Sequence, residues 1–142
     1  MRLVLDTAAM VAAIRSDAGA SRRLLVAALN RRLTLLVSVP LLIEYQAVMT
    51  RAEHLVAARL SDGDIGVLLD AVAAVAEPIR LAFLWRPSLR DPDDDMVLET
   101  AVNGRADAIV TFNVRDFDAV APRFGISVLS PGEALGRLEF ER

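Results

Sequence analysis

The stretch "RDPDDDMVLETA", Arg90 to Ala101, carries four aspartates in five residues, and an apolar helical pattern follows at once. Like charges at that density repel one another. Either solvent screens them or a cation belongs among them. Three more acids could join the set: Asp6 ends the apolar run "RLVLD", Glu44 interrupts "VPLLIEYQAV", and Asp116 sits in "NVRDF". The chain has no cysteine, no lysine and a single histidine. Carboxylates without soft ligands make a hard-oxygen site, of the kind that takes Mg²⁺ or Mn²⁺. Such an ion offsets the repulsion and turns bound water into a nucleophile, and two ions about 4 Å apart can clamp an in-line phosphodiester displacement. The simpler reading of "DPDDD" is a helix start, where each aspartate at the cap or first turn stabilises by typically less than about 1 kcal/mol. That accounts for one or two of the aspartates. It leaves Asp6, a charge at the end of a buried strand, which costs free energy unless it is paired or metal-bound.

The composition removes other chemistries. Without cysteine there are no disulfides, thiolate nucleophiles or thiolate metal sites. All sixteen basic residues are arginine, so a P-loop lysine, a Schiff base and a lysine general base are excluded. His54 lies in the helical pattern "RAEHLVAARL", outside every acidic piece, and is read as a surface or core residue. A Ser/His/Asp triad therefore has little support. A chain of 142 residues that is 54 % hydrophobic is expected to form one domain over 1–142 with a filled core. Its net charge of −3 provides no global pull toward nucleic acid. No apolar run reaches the roughly 18 residues of a membrane span. An aspartate breaks the first apolar run, so the start lacks a signal-peptide layout. The expected location is cytoplasmic.

The elements that must position these acids alternate. Strands are expected at 2–6, 33–38, 78–85, 106–112 and 125–130, the third with Pro78 at its first position. Helices are expected at 7–16, 19–32, 40–51, 52–60, 61–77, 95–105 and 131–140, with a polar loop at 86–95 and a loop and short helix at 113–124. Short apolar strands between helices read as an α/β fold with a parallel sheet. In such sheets the working site lies beyond the carboxyl ends of the strands. That rule selects Asp6, then Thr111, Asn113 and Asp116 after "AIVTF", and the "DPDDD" loop at the same edge. Glu44, one turn into its helix, faces either solvent or a polar site; spacing leaves the two even.

The pieces "LVLDT", "LLIEYQAVMTR", "RDPDDDMVLETAVNGRADAIVTFNVRDF" and "VLSPGEAL" give the chain a resemblance over nearly its whole length. It resembles the PIN-domain family, in particular the VapC-like toxins of bacterial toxin–antitoxin modules. The resemblance implies a three-layer sandwich, a central parallel sheet flanked by helices, and Mg²⁺- or Mn²⁺-dependent cleavage of RNA. It places the metal-binding acids on Asp6, Glu44, one aspartate of "DPDDD", and Asp116. Asp94 is favoured for the third, because similar sequences often carry Asn where Asp95 stands, with Asp95 close behind. Thr7, Thr111 and Asn113 match polar positions that support such a site. The resemblance also turns Glu44 inward. Two departures stand out. Relatives commonly read "DTN" where this chain reads "DTA", with Ala8 in place of the amide, and many carry an acid where Asn113 stands.

Two function classes follow: a metal-dependent ribonuclease with an antitoxin partner, or a non-catalytic module on the same fold that binds RNA or protein. Local positive charge for phosphate is expected from Arg90 and Arg115, which flank the acidic pieces. Arg22, Arg23, Arg31 and Arg32 read as solvated helix-end residues. The segments 40–60 and 63–76 carry more apolar residues than one core-facing stripe needs. A homodimer and an antitoxin groove are expected from that excess, unless both faces pack inside one monomer.

Overall fold

The computed structural model describes residues 1–82 and 92–140, and the side chains of 92 and 93 are outside the description. The sheet is built from β1 (Arg2–Leu5), β2 (Thr34–Val37), β3 (Glu77–Pro78), β4 (Ala108–Val110) and β5 (Ser127–Leu129). All pairings are parallel, in the order β3-β2-β1-β4-β5. The helices are α1 (Thr7–Arg15), α2 (Ala20–Leu29), α3 (Val39–Met49), α4 (Ala52–Ala58), α5 (Asp62–Val75), α6 (Pro92–Asn103), α7 (Val114–Asp118) and α8 (Pro131–Phe140). The chain is thus a parallel α/β sandwich, as its apolar runs predict. Parallel crossovers are right-handed in nearly all proteins, and on a sheet that grows first toward β3 and then toward β5 that hand puts helices on both faces.

β1 and β4 are apolar and buried throughout their middles, because a parallel strand in the centre of a sandwich is covered on both faces. Helix starts are marked in the sequence. Ser38 caps α3 by accepting from the Leu41 N–H, and Ser61 with Asp64 forms a capping box at α5. Gly104, just past α6, is required by close approach. A Cβ there would lie 2.9 Å from Leu36, from Ile79 and from the Thr100 carbonyl.

Three expectations change. β3 is two residues long and starts at Glu77, not Pro78; of the expected strand, 79–82 is irregular and 83–85 lies outside the described residues. Proline is tolerated as the second residue because β3 is a sheet edge. The Ile79 N–H bonds the Val37 carbonyl, so the Pro78 nitrogen, one residue back in the pleat, faces away from β2. Arg22 is not simply solvated. It donates from Nε to the Ala13 carbonyl and from Nη2 to the Ile14 carbonyl, closing the C-terminal turn of α1. α6 begins at Pro92 rather than 95, which puts Asp93, Asp94 and Asp95 in its first turn.

The apolar excess is partly on the outside: Val39, Ile43, Val56 and Val67 are exposed. Among the described residues no helix is long and apolar enough to cross a membrane.

Candidate active site

The strand order reverses between β1 and β4: β2 and β3 extend one way from β1, β5 the other way from β4. That reversal opens a crevice at the carboxyl ends of the two strands. Asp6 follows β1 directly and Thr111 follows β4. A cavity of about 330 Å³ lies at this edge, lined by Asp6, Thr7, Ala8, Glu44, Asp94 and Asn113, with Val11, Val48, Arg51 and His54 completing the wall.

Asp6 is buried, 7 % exposed, and occupies the N-cap position of α1. Its carboxylate makes no capping bond there. Instead it accepts a hydrogen bond from the Thr111 hydroxyl at 2.8 Å, and the same hydroxyl oxygen accepts from the Asn113 N–H at 2.9 Å. Thr111 is fully buried. The carboxylate is thus held across the crevice by the strand that faces it, at the cost of the usual cap.

Glu44 and Tyr45 divide the work of α3. Tyr45 is fully buried and its hydroxyl donates to the Leu5 carbonyl, pinning α3 to the end of β1. Burial, and then the negative charge of Asp6, push the Tyr45 hydroxyl far above its ordinary value, so it stays a donor. Glu44, the next residue round the helix, lines the cavity. α3 is tied to α6 by a chain of hydroxyls: the Leu41 N–H donates to Ser38 Oγ, Ser38 meets Thr100 Oγ1 at 2.7 Å, and Thr100 donates to the Met96 carbonyl. This fixes the helix that carries Glu44 against the helix that carries Asp94.

Of the acidic run, Asp94 lines the cavity, whereas Asp95 is 1 % exposed within the core. Asp116 is not among the lining residues. It is exposed on the first turn of α7, three residues past Asn113, with its N–H bonded to the Asn113 carbonyl. Arg115 is exposed beside it. Arg90 lies outside the described residues.

Two residues that the sequence reading left out line the same wall. His54, assigned to surface or core, is half-buried in the cavity, and Arg51 stands with it. The signal was the spacing 44, 48, 51, 54, one helical face continued across the break between α3 and α4. Arg15 Nη1 lies 3.2 Å from His54 Nδ1. A guanidinium only donates, so Nδ1 is the acceptor and the ring proton of neutral His54 is on Nε2.

The donor set is carboxylate, amide and hydroxyl oxygen, which suits a hard divalent cation. Among the described residues no three carboxylates or imidazoles meet in a ready-made cation cage. Mg²⁺ does not need one: it keeps several waters and takes one or two carboxylates together with substrate phosphate. The residues present fit such an ion.

The model of the PIN-domain family matches residues 2–115. The chain belongs to the PIN-domain family. PIN domains are in general nucleases that use divalent metal ions. The match covers every element that lines the acidic cavity. No curated protein and no solved structure matches the chain.

Proposed function

We propose that this PIN domain is a metal-dependent endoribonuclease and the toxin of a toxin–antitoxin pair. The observation that carries the nuclease reading is the convergence of Asp6, Glu44 and Asp94, from three separate elements, on one cavity at the strand-order reversal. The toxin assignment rests on the resemblance of "LLIEYQAVMTR" and "DPDDDMVLETAVNGRADAIVTFNVRDF" to VapC-like chains.

In this reading Asp6 and Asp94 hold Mg²⁺ or Mn²⁺. Glu44 completes the shell or orients the attacking water. Asp116 approaches from α7 when RNA is bound. When bound, the ion supplies a water of lowered pKa and charge for the developing phosphate oxyanion. Thr111 keeps the Asp6 carboxylate turned into the crevice. Arg51, with Arg115 further along the edge, offers the positive charge that phosphate needs and that the net charge of the chain does not supply. Asn113 bears no charge, so it orients rather than binds strongly. With no cysteine or lysine in the chain, water is the nucleophile and no covalent enzyme intermediate forms.

The exposed Val39, Ile43, Val56 and Val67 support a homodimer and a seat for the antitoxin. The proposed location is the cytoplasm.

The test is purified protein with Mn²⁺ and a mixed RNA pool, followed by end-group analysis. Water attack leaves 5′-phosphate and 3′-hydroxyl ends, and Asp6→Asn abolishes them. Cyclic-phosphate ends, or cutting that survives EDTA, would sink the mechanism.

A further inference from the structure

A second cavity, of about 280 Å³, shares two elements with the acidic one. On α1, Thr7, Ala8 and Val11 line the first cavity, and Ala12 with Ser16, the residue that caps its C-terminus, the second. After β4, Asn113 lines the first and Phe112 the second. We propose that this second cavity receives a base of the single-stranded RNA whose neighbouring phosphate lies in the acidic cavity. The proposal rests on the ribonuclease reading above.

Three observations select a base. The residues that line the cavity include no charged side chain, so its ligand is neutral where it sits and is not the phosphate itself. Phe112 is a large aromatic left 56 % exposed next to the acidic site. Its ring offers the stacking surface that unpaired bases use on nucleic-acid-binding proteins. Ser21, on the opposite element α2, is 3 % exposed, and its hydroxyl has no hydrogen-bond partner among the described residues. A buried hydroxyl without a partner destabilises the fold. It turns about a single bond, so a polar edge entering the cavity supplies what it lacks. A base combines a flat face for Phe112 with such an edge. An aliphatic side chain of a protein partner supplies neither, so a strand of RNA fits better than an inserted peptide.

The test is equilibrium binding of a fluorescently labelled single-stranded RNA in EDTA, where nothing is cut. Phe112→Ala is expected to weaken binding about tenfold, in the range that loss of one stacked base produces. Ser21→Ala is expected to weaken binding a few-fold without lowering Tm, because the hydroxyl it removes bonds nothing in the free protein. A series of oligonucleotides, each abasic at one position, supplies the decisive arm. One position should cost the parent protein about tenfold and cost Phe112→Ala nothing further, the coupling that direct contact requires. The proposal is overturned if no abasic position couples to Phe112, if both variants bind as the parent does, or if Ser21→Ala lowers Tm. Cleavage with Mn²⁺ is scored separately. A protein that cuts RNA without the coupling loses only the base pocket. A protein that shows the coupling and never cuts loses only the ribonuclease reading. A protein that binds no RNA loses both.

Discussion

The Thr111 hydroxyl donates to Asp6 Oδ2 across 2.8 Å and spans 105 residues of sequence, joining the ends of two neighbouring strands. That one contact sets the direction of the acid at the centre of the site. Replacing Thr111 with Val keeps the shape and removes the hydroxyl. We predict that cleavage falls about 10- to 100-fold, as for other groups that orient a metal-binding carboxylate. Thr111→Ser should restore most of it. Initial rates with Mn²⁺, with a thermal melt alongside, check this; parental rates in Thr111→Val would remove Thr111 from the site.

Asp94 and Asp95 should separate cleanly. Asp94 lines the cavity and Asp95 is buried. Asp94→Asn is expected to abolish cleavage and to shrink the rise in Tm that Mg²⁺ or Mn²⁺ gives the parent, since an ion that binds only the folded chain stabilises it. Without metal its Tm should hold or rise, because one repelling charge is gone. Asp95→Asn should act first on Tm. Loss of activity in Asp95→Asn alone would move the third acid by one residue.

The Ser38–Thr100 contact predicts a stability effect with a functional echo. Thr100→Val leaves the buried Ser38 hydroxyl short of a partner, which costs about 1–3 kcal/mol. Urea unfolding measures that loss. Glu44 and Asp94 sit on the two helices this contact joins, so Mn²⁺ affinity should weaken as well. An unchanged urea midpoint would show the hydroxyl chain to be dispensable.

Away from the site, Arg2 and Glu77 join the starts of β1 and β3 by two hydrogen bonds, at 3.0 and 2.6 Å. Hydrogen bonding from Arg2 holds the Glu77 carboxyl below its ordinary value of 4.5. The folded chain therefore binds this proton less tightly than the unfolded chain. The stabilisation is present above about pH 4.5 and is lost as pH falls through the lowered value. Both side chains are more than a third exposed, so the effect is under about 1 kcal/mol. Glu77→Gln should flatten the stability curve in that acid window and leave it parallel above pH 6. A curve of unchanged slope below pH 4.5 would contradict the assignment.

The exposed Ile43 and Val39, one turn apart on α3, make oligomerisation testable. Light scattering at micromolar concentration should give twice the 15.4 kDa of one chain, and Ile43→Glu should give the monomer. A soluble monomer for the parent protein rejects the dimer.

Most of the architecture is legible because it obeys local rules. Apolar runs of four or five residues become buried strands, and Ser38 and Ser61 announce the helices that follow. The sheet edge is not legible: "PIRLAFLW" is as apolar as a strand, but pairing of the edge depends on what β2 offers, and among the described residues only Glu77 and Pro78 find it. The site divides similarly. Asp6, Glu44, Asp94 and Asn113 could be located from strand ends and from the family resemblance. His54 and Arg51 carry only the weaker signal of the spacing 44, 48, 51 and 54, which runs across the break between α3 and α4. Asp116 shows the reverse: its type and position point to the site, and its helix leaves it outside the cavity wall.

Because β1 lies at the centre of the sheet, one of its two neighbours is made early and the other late. β2 follows within some thirty residues, but β4 begins at Ala108 and is itself flanked by β5 at Ser127–Leu129. A chain emerging from the ribosome N-terminus first can bury one side of β1 long before it can bury the other. Asp94 and Thr111 both belong to the late part. Whatever chemistry resides in the acidic cavity is therefore absent until the chain through Asn113 has left the ribosome, and the ribosome and message face a finished site only after that length has been made.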